Sequence, residues 1–166
     1  MKPPDSYPLP RWAHVPGSGD GADHATLAAV KTMVPMRFTG CVPASHPALG
    51  YGLRLNDEGF FWEAHEILEA VWKAAPQGGL DRICLRGCIQ VANANLKLKM
   101  GRARAAERLM TDAAAEFSEL GRRRPAPVDG GFAAAFPAAT VLGRLAERAG
   151  RPDLAGLIIL RGELLT

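Results

Sequence analysis

The stretch Gly59-Phe-Phe-Trp-Glu-Ala-His-Glu-Ile-Leu-Glu-Ala-Val-Trp72 decides how the rest of the chain is read. At about 100° per residue, Phe60, Phe61, Ala64, Ile67, Leu68, Val71 and Trp72 fall on one continuous arc, the stripe of an amphipathic helix that buries one face. His65 sits at the edge of that arc beside Trp72, Glu69 comes next, and Trp62 and Glu66 lie on the side that should meet solvent. A tryptophan there calls for a cover, either the N-terminal region or another subunit, and such a cover leaves His65, Glu66 and Glu69 partly enclosed. Enclosed carboxylates need partners.

The following segment supplies candidates. From Leu80 to Met100 the pattern is again helical, and Arg82, Arg86, Gln90, Asn93 and Lys97 form one narrow polar stripe on an otherwise apolar surface. Two antiparallel helices, one carrying Glu63, Glu66 and Glu69 and the other Arg82 and Arg86, are expected to make charge-assisted hydrogen bonds across their hairpin. Asn95 lies off the stripe, within the apolar arc, and needs a buried partner such as a backbone carbonyl.

Outward from this hairpin, the first helix is expected to run from Asn56 to Lys73, with Asn56 as N-cap and Asp57 and Glu58 in the first turn. Gly101 ends the second helix and Gly121 a third that starts near Arg102. A fourth is predicted from about Pro137 to Gly150, and Pro152 can open a last one ending near Leu165. Residues 1–21 are rich in proline and glycine and read as an extended arm, followed by a short helix over Asp23–Met33. Pro35, Gly40, Pro43, Pro47 and Gly50 then argue against regular structure as far as Tyr51. Short connections between long helices force antiparallel neighbours. The expected fold is therefore all-α: a single-domain up-down bundle of about five helices over 51–166, with a Pro/Gly-rich N-terminal arm and short helix over 1–50 packing on it.

Composition restricts the function classes. Of 166 residues 48% are apolar, enough to bury a core in one domain without staples. The 20 basic and 17 acidic residues leave a net charge of +3, too mild to argue for nucleic acid or a membrane surface. Arg122-Arg-Arg124 reads as a solvated loop, so nucleic acid is not an expected partner. No apolar segment suits export or insertion, and three cysteines, two of them four apart in a helix, fit reduced thiols; a soluble cytoplasmic chain is expected. Cys84 and Cys88 lie among apolar residues and read as small hydrophobes rather than nucleophiles. Gly17-Ser-Gly-Asp-Gly21 has neither a preceding strand nor a following Gly-Lys-Ser/Thr and is a linker.

The chemistry concentrates at His65-Glu-Ile-Leu-Glu69. His65 and Glu69, four apart on one face, have the spacing by which H-E-x-x-H presents two metal ligands, and Glu66 stands where that motif keeps its general base. A divalent metal is the one cofactor this admits, with His65 and Glu69 as ligands and His65 and Glu66 as acid and base. A third ligand would come from His46, Cys41 or His14. The competing reading is a satisfied polar network of Glu63, Glu69, Arg82, Arg86, Gln90 and Asn93 with Trp62 and Trp72, serving a structural or interaction module whose Trp62 face meets a protein partner or a second copy.

Gly59-Phe-Phe-Trp-Glu-Ala-His-Glu-Ile-Leu-Glu with Trp72, then Leu85-Arg-Gly-Cys-Ile-Gln-Val-Ala-Asn93, Gly101 and Ala105-Ala106, together resemble an uncharacterised bacterial and archaeal family, a domain of unknown function numbered three hundred and nine. The resemblance spans about Tyr51 to Leu120, with a fainter echo at Arg11-Trp12 and Pro16-Gly17. It implies a helical fold with a polar cluster around the histidine, and it brings no agreed activity. By position, the signature E-A-H-E-x-x-E-x-x-W and its sequel fall on Glu63, His65, Glu66, Glu69, Trp72 and Gln90. Many relatives carry histidine where this chain has Lys97 and asparagine where it has Arg102. A protonated lysine is a poor ligand, so a metallic family site would here lack one donor.

Overall fold

Phe61, Ala64, Ile67, Leu68 and Val71 are buried, as the arc requires, whereas Trp72 at its edge and Phe60, which stands just before the helix, are half-buried. The helix that carries them lies near the middle of an all-helical computed structural model. The structure describes residues 4–123, 131–149 and 151. Seven α-helices occur among them: α1 His24–Lys31, α2 Pro47–Asp57, α3 Phe61–Ala74, α4 Leu80–Lys99, α5 Ala103–Arg123, α6 Phe132–Ala135 and α7 Ala138–Arg148. Each of α2/α3, α3/α4, α4/α5 and α5/α7 packs face to face, so neighbours in sequence are neighbours in space. Among the described residues no helix is long and apolar enough to cross a membrane.

The count exceeds the expected five mainly because α2 forms where breakers argued for irregular chain. Pro47 occupies the start of that helix, where its missing N–H costs nothing, and His46 caps it by accepting from the Ala48 N–H at 3.3 Å. The glycines inside it are contact points. A β-carbon at Gly52 would lie 2.8 Å from Leu68 Cδ2, and one at Gly50 would lie 2.5 Å from Pro4 Cγ, so their absence lets α3 and the arm close on the helix. Asn56 is accordingly not the N-cap of the next helix. It sits buried near the end of α2, and the chain turns at Gly59 (φ 92°) before α3 begins at Phe61.

α4 ends as the sequence predicts. Gly101 adopts φ 72°, its N–H bonds to the Leu98 carbonyl at 3.0 Å, and the Arg102 N–H reaches the Lys97 carbonyl at 2.8 Å, the paired bonds of a left-handed C-terminal cap. α5 differs from expectation, continuing through Gly121 to Arg123. Arg122 and Arg123 there fold back on Glu119 and hold its carboxyl below the usual range, so they are not loop cations as expected. Arg124 and the last helix predicted over Pro152–Leu165 lie outside the described residues.

α4 and α5 approach closely because Gly87 has no side chain: a β-carbon there would stand 2.6 Å from the Phe117 ring. Phe117 in turn stacks on Phe136 at 5.2 Å between centroids, which brings the α6 segment against the bundle. Cys84 and Cys88 are fully buried on the same side of α4 and form no disulfide, and burial pushes the Cys84 thiol well above its ordinary range. They are packing residues, as read.

Candidate functional site

α3 presents its polar residues to three different neighbours. Toward the arm it turns Trp62 and Glu63. Of the two covers expected for Trp62, the chain's own N-terminal region is the one found: the rings of His14 and His24 meet the indole edge-on at 4.9 and 5.9 Å between centroids. Glu63, expected opposite the arginines of α4, is instead fully buried, and both its carboxylate oxygens accept the His14 backbone N–H at 3.2 Å. Burial raises its pKa, a shift the His14 hydrogen bond opposes.

Toward α4, the anticipated hairpin of carboxylates and arginines does not form. Arg86 reaches the other way, to Glu116 on α5, in a two-pronged pair with Nε at 2.6 Å and Nη2 at 3.0 Å. Arg82 lies with its guanidinium 4.5 Å over the Trp72 ring and donates to the Trp72 and Lys73 carbonyls at 3.1 and 3.4 Å and to Gln77 Oε1 at 3.0 Å. It therefore bonds carbonyls of the last turn of α3, where a cation also suits the helix dipole. Gln90 and Asn93 are half-buried on the same stripe, with Gln90 Oε1 enclosed and without a hydrogen-bond partner among the described residues. The stripe is real as a pattern, but a long side chain on a helix surface can reach either flanking helix, and spacing alone does not choose between them.

Along the remaining edge of α3 runs an alternating chain of charges. Lys31 Nζ of α1 lies 2.9 Å from Glu66 Oε2, and Glu66 Oε1 lies 3.7 Å from His65 Nδ1. His65 Nε2 lies 3.9 Å from Glu69 Oε2, and Glu69 Oε1 lies 3.3 Å from Lys73 Nζ. The side chains of His65, Glu66 and Glu69 are 27%, 26% and 35% exposed, so the trio is partly enclosed yet reachable from solvent. One donor atom from each can be chosen so that all lie within 4.8 Å of one another. Ligands sharing a small divalent ion at about 2.1 Å stand roughly 3 Å apart, a distance that modest rotamer changes would supply.

The three third-ligand candidates are engaged elsewhere. His46 caps α2 and packs its ring on Phe38 at 5.1 Å, and burial lowers its pKa, favouring the neutral ring that a capping acceptor must be. His14 Nδ1 is 2.9 Å from the Asp20 carbonyl, and Cys41 lines a cavity with Pro76, Asp81 and Gly131. Glu66 is the acidic side chain that lies beside His65 and Glu69.

Three residues escaped the sequence reading. Lys31 is 35 positions from Glu66 and nothing local marks it, and Lys73, four residues after Glu69, was not singled out either. Asp81, buried in the first turn of α4, accepts the Val42 N–H at 2.6 Å and the Ala133 N–H at 2.8 Å, tying the irregular chain before α2 and the start of α6 to one helix.

No curated protein and no solved structure matches the chain. Residues 49–109, which take in nearly all of α2, the whole of α3 and α4 and the start of α5, match the family model described as Domain of unknown function (DUF309).

Proposed function

We propose that the domain is a binding module whose α3 edge takes a divalent cation between His65, Glu66 and Glu69. The observation that carries the reading is the convergence of one imidazole and two carboxylates to within 4.8 Å on a rigid helix, in a setting about one-third exposed. One nitrogen and two carboxylate oxygens suit zinc, manganese or ferrous iron, and three protein donors leave positions open for water or a substrate oxygen. A cation so held would polarise a bound water, and hydrolysis or proton transfer is the chemistry that follows.

Elemental analysis of protein purified without a metal-affinity tag tests the reading. The expected result is near-stoichiometric zinc, manganese or iron in the native chain, lost in Glu69→Ala, together with a rise in melting temperature when the metal is restored. No bound metal and no thermal response to any of the three would overturn it.

A second reading treats the same residues as a purely structural link, favoured by the 2.9 Å pair between Lys31 of α1 and Glu66 of α3. It expects Glu66→Ala to lower the melting temperature equally with and without added metal.

A further inference from the structure

We infer that the α3 site, once loaded with a divalent cation, takes a dianionic oxyanion of the phosphate type as its ligand, held between the cation and the ammonium groups of Lys31 and Lys73. The inference rests on the metal-binding reading above and goes beyond it by naming the class of ligand.

The argument starts from charge. Without a metal the row Lys31, Glu66, His65, Glu69, Lys73 alternates two ammonium groups and two carboxylates around an imidazole, and with a neutral ring its formal charge is zero. Each carboxylate has a lysine at 2.9 or 3.3 Å as an internal counter-ion. A divalent cation entering the trio claims those carboxylate oxygens, and the lysines lose part of their attraction to them. The formal charge becomes +2 whichever carboxylate ligates. A dianion is the ligand that restores neutrality, and the cation's open positions prefer oxygen donors.

Geometry agrees with charge. Lys31 and Lys73 approach from opposite ends of the row, one from α1 and one from the last turn of α3, so an anion over the trio has an ammonium on either side. Their side chains are 39% and 66% exposed, against 26% and 35% for the glutamates they pair with, which leaves the lysines free to swing without unpacking the core. A lysine is a compact point charge on a flexible stem, suited to following a phosphate oxygen rather than fixing a planar carboxylate. The two lysines thus act first as stand-ins for the metal and then as clamps for its ligand.

Manganese is the useful probe, because its effect on water proton relaxation reports displacement of bound water. The full chain is loaded with Mn2+ and titrated with inorganic phosphate, with glycerol phosphate as a monoester, and with acetate as a monoanionic control. The metal-free chain is titrated in parallel. The expected result is phosphate binding that needs the metal, is accompanied by loss of relaxation enhancement, and is weakened about tenfold by Lys31→Met and further by adding Lys73→Met. Tighter binding of glycerol phosphate than of phosphate would assign the site to monoesters, and the reverse to the free ion; either supports the inference. Failure of Mn2+ to bind would sink the metal reading and this inference with it. Normal Mn2+ binding with no phosphate response, or a response equal to that of acetate or unchanged in both lysine variants, would overturn the inference alone. Since neither lysine side chain belongs to the buried core, their replacement should leave the circular dichroism spectrum and the fold intact.

Discussion

Asn95 donates from Nδ2 to Asn56 Oδ1 at 2.9 Å, joining α4 to the end of α2 in a place sealed from solvent on both sides. A buried amide is costly to leave without its partner and cheap to keep with it. Asn95→Ala should therefore destabilise the chain by about 1–3 kcal/mol in urea denaturation. Replacing both asparagines by leucine should cost less than the two single changes added together, because neither then strands the other.

The contact between Gly87 and Phe117 sets how near α4 lies to α5. Gly87→Ala puts a methyl group 2.6 Å from the ring, which forces the helices apart or the ring off its rotamer, at about 1–3 kcal/mol. Thermal melts of Gly87→Ala, Phe117→Leu and the double variant check this. The smaller side chain should recover part of the loss, and strict additivity would show that the clash is not the cause.

Asp81 holds two amides at once, Val42 N–H and Ala133 N–H. Asp81→Ala should cost about 3 kcal/mol and abolish the slow hydrogen exchange of both amides. Asp81→Asn keeps one acceptor oxygen, so one of the two should stay protected. Equal exchange at both positions in the asparagine variant would argue that something other than the carboxylate shields them.

Glu63 gives stability an unusual pH dependence. Its folded pKa is raised by burial, so the group favours the folded chain below the ordinary glutamate value, and that contribution is lost as pH rises through the higher folded value. Asp23, lowered chiefly by the Arg11 N–H, and Glu119, lowered by Arg122 and Arg123, act in the opposite sense: their contribution is present above the ordinary range and lost as pH falls through their folded values. Glu63→Gln removes only the first effect. Its denaturation midpoint relative to the native chain should rise as the pH climbs from the ordinary glutamate range through the higher folded value, and a constant offset would contradict the assignment.

The helical class, α3 with its apolar arc, α4 with its Gly101 stop and the irregular arm were legible in the sequence because each rests on local period and local breakers. α2 was not. Pro47, Gly50 and Gly52 look like breakers one by one, and only the close approach of Pro4, Ile67 and Leu68 explains why glycines are wanted inside a helix. Within the site, His65, Glu66 and Glu69 were found because one turn of helix brings them together. Their partners were assigned wrongly because Arg82 and Arg86 share a stripe yet answer to the end of α3 and to Glu116 respectively. Lys31 depends on how α1 docks, which no spacing encodes.

Asp23, Glu63 and Asp81 share a habit: each is a buried acid that grips backbone N–H groups, those of Arg11, His14, Val42 and Ala133. Main-chain handles are the same whatever side chain they carry. The segments around the bundle can therefore drift in sequence while their route stays fixed, provided proline never lands on one of those four residues. A saturation scan should find proline rejected at the exposed Arg11, where other side chains are accommodated, whereas Val42 and Ala133 are also held by their burial in the core.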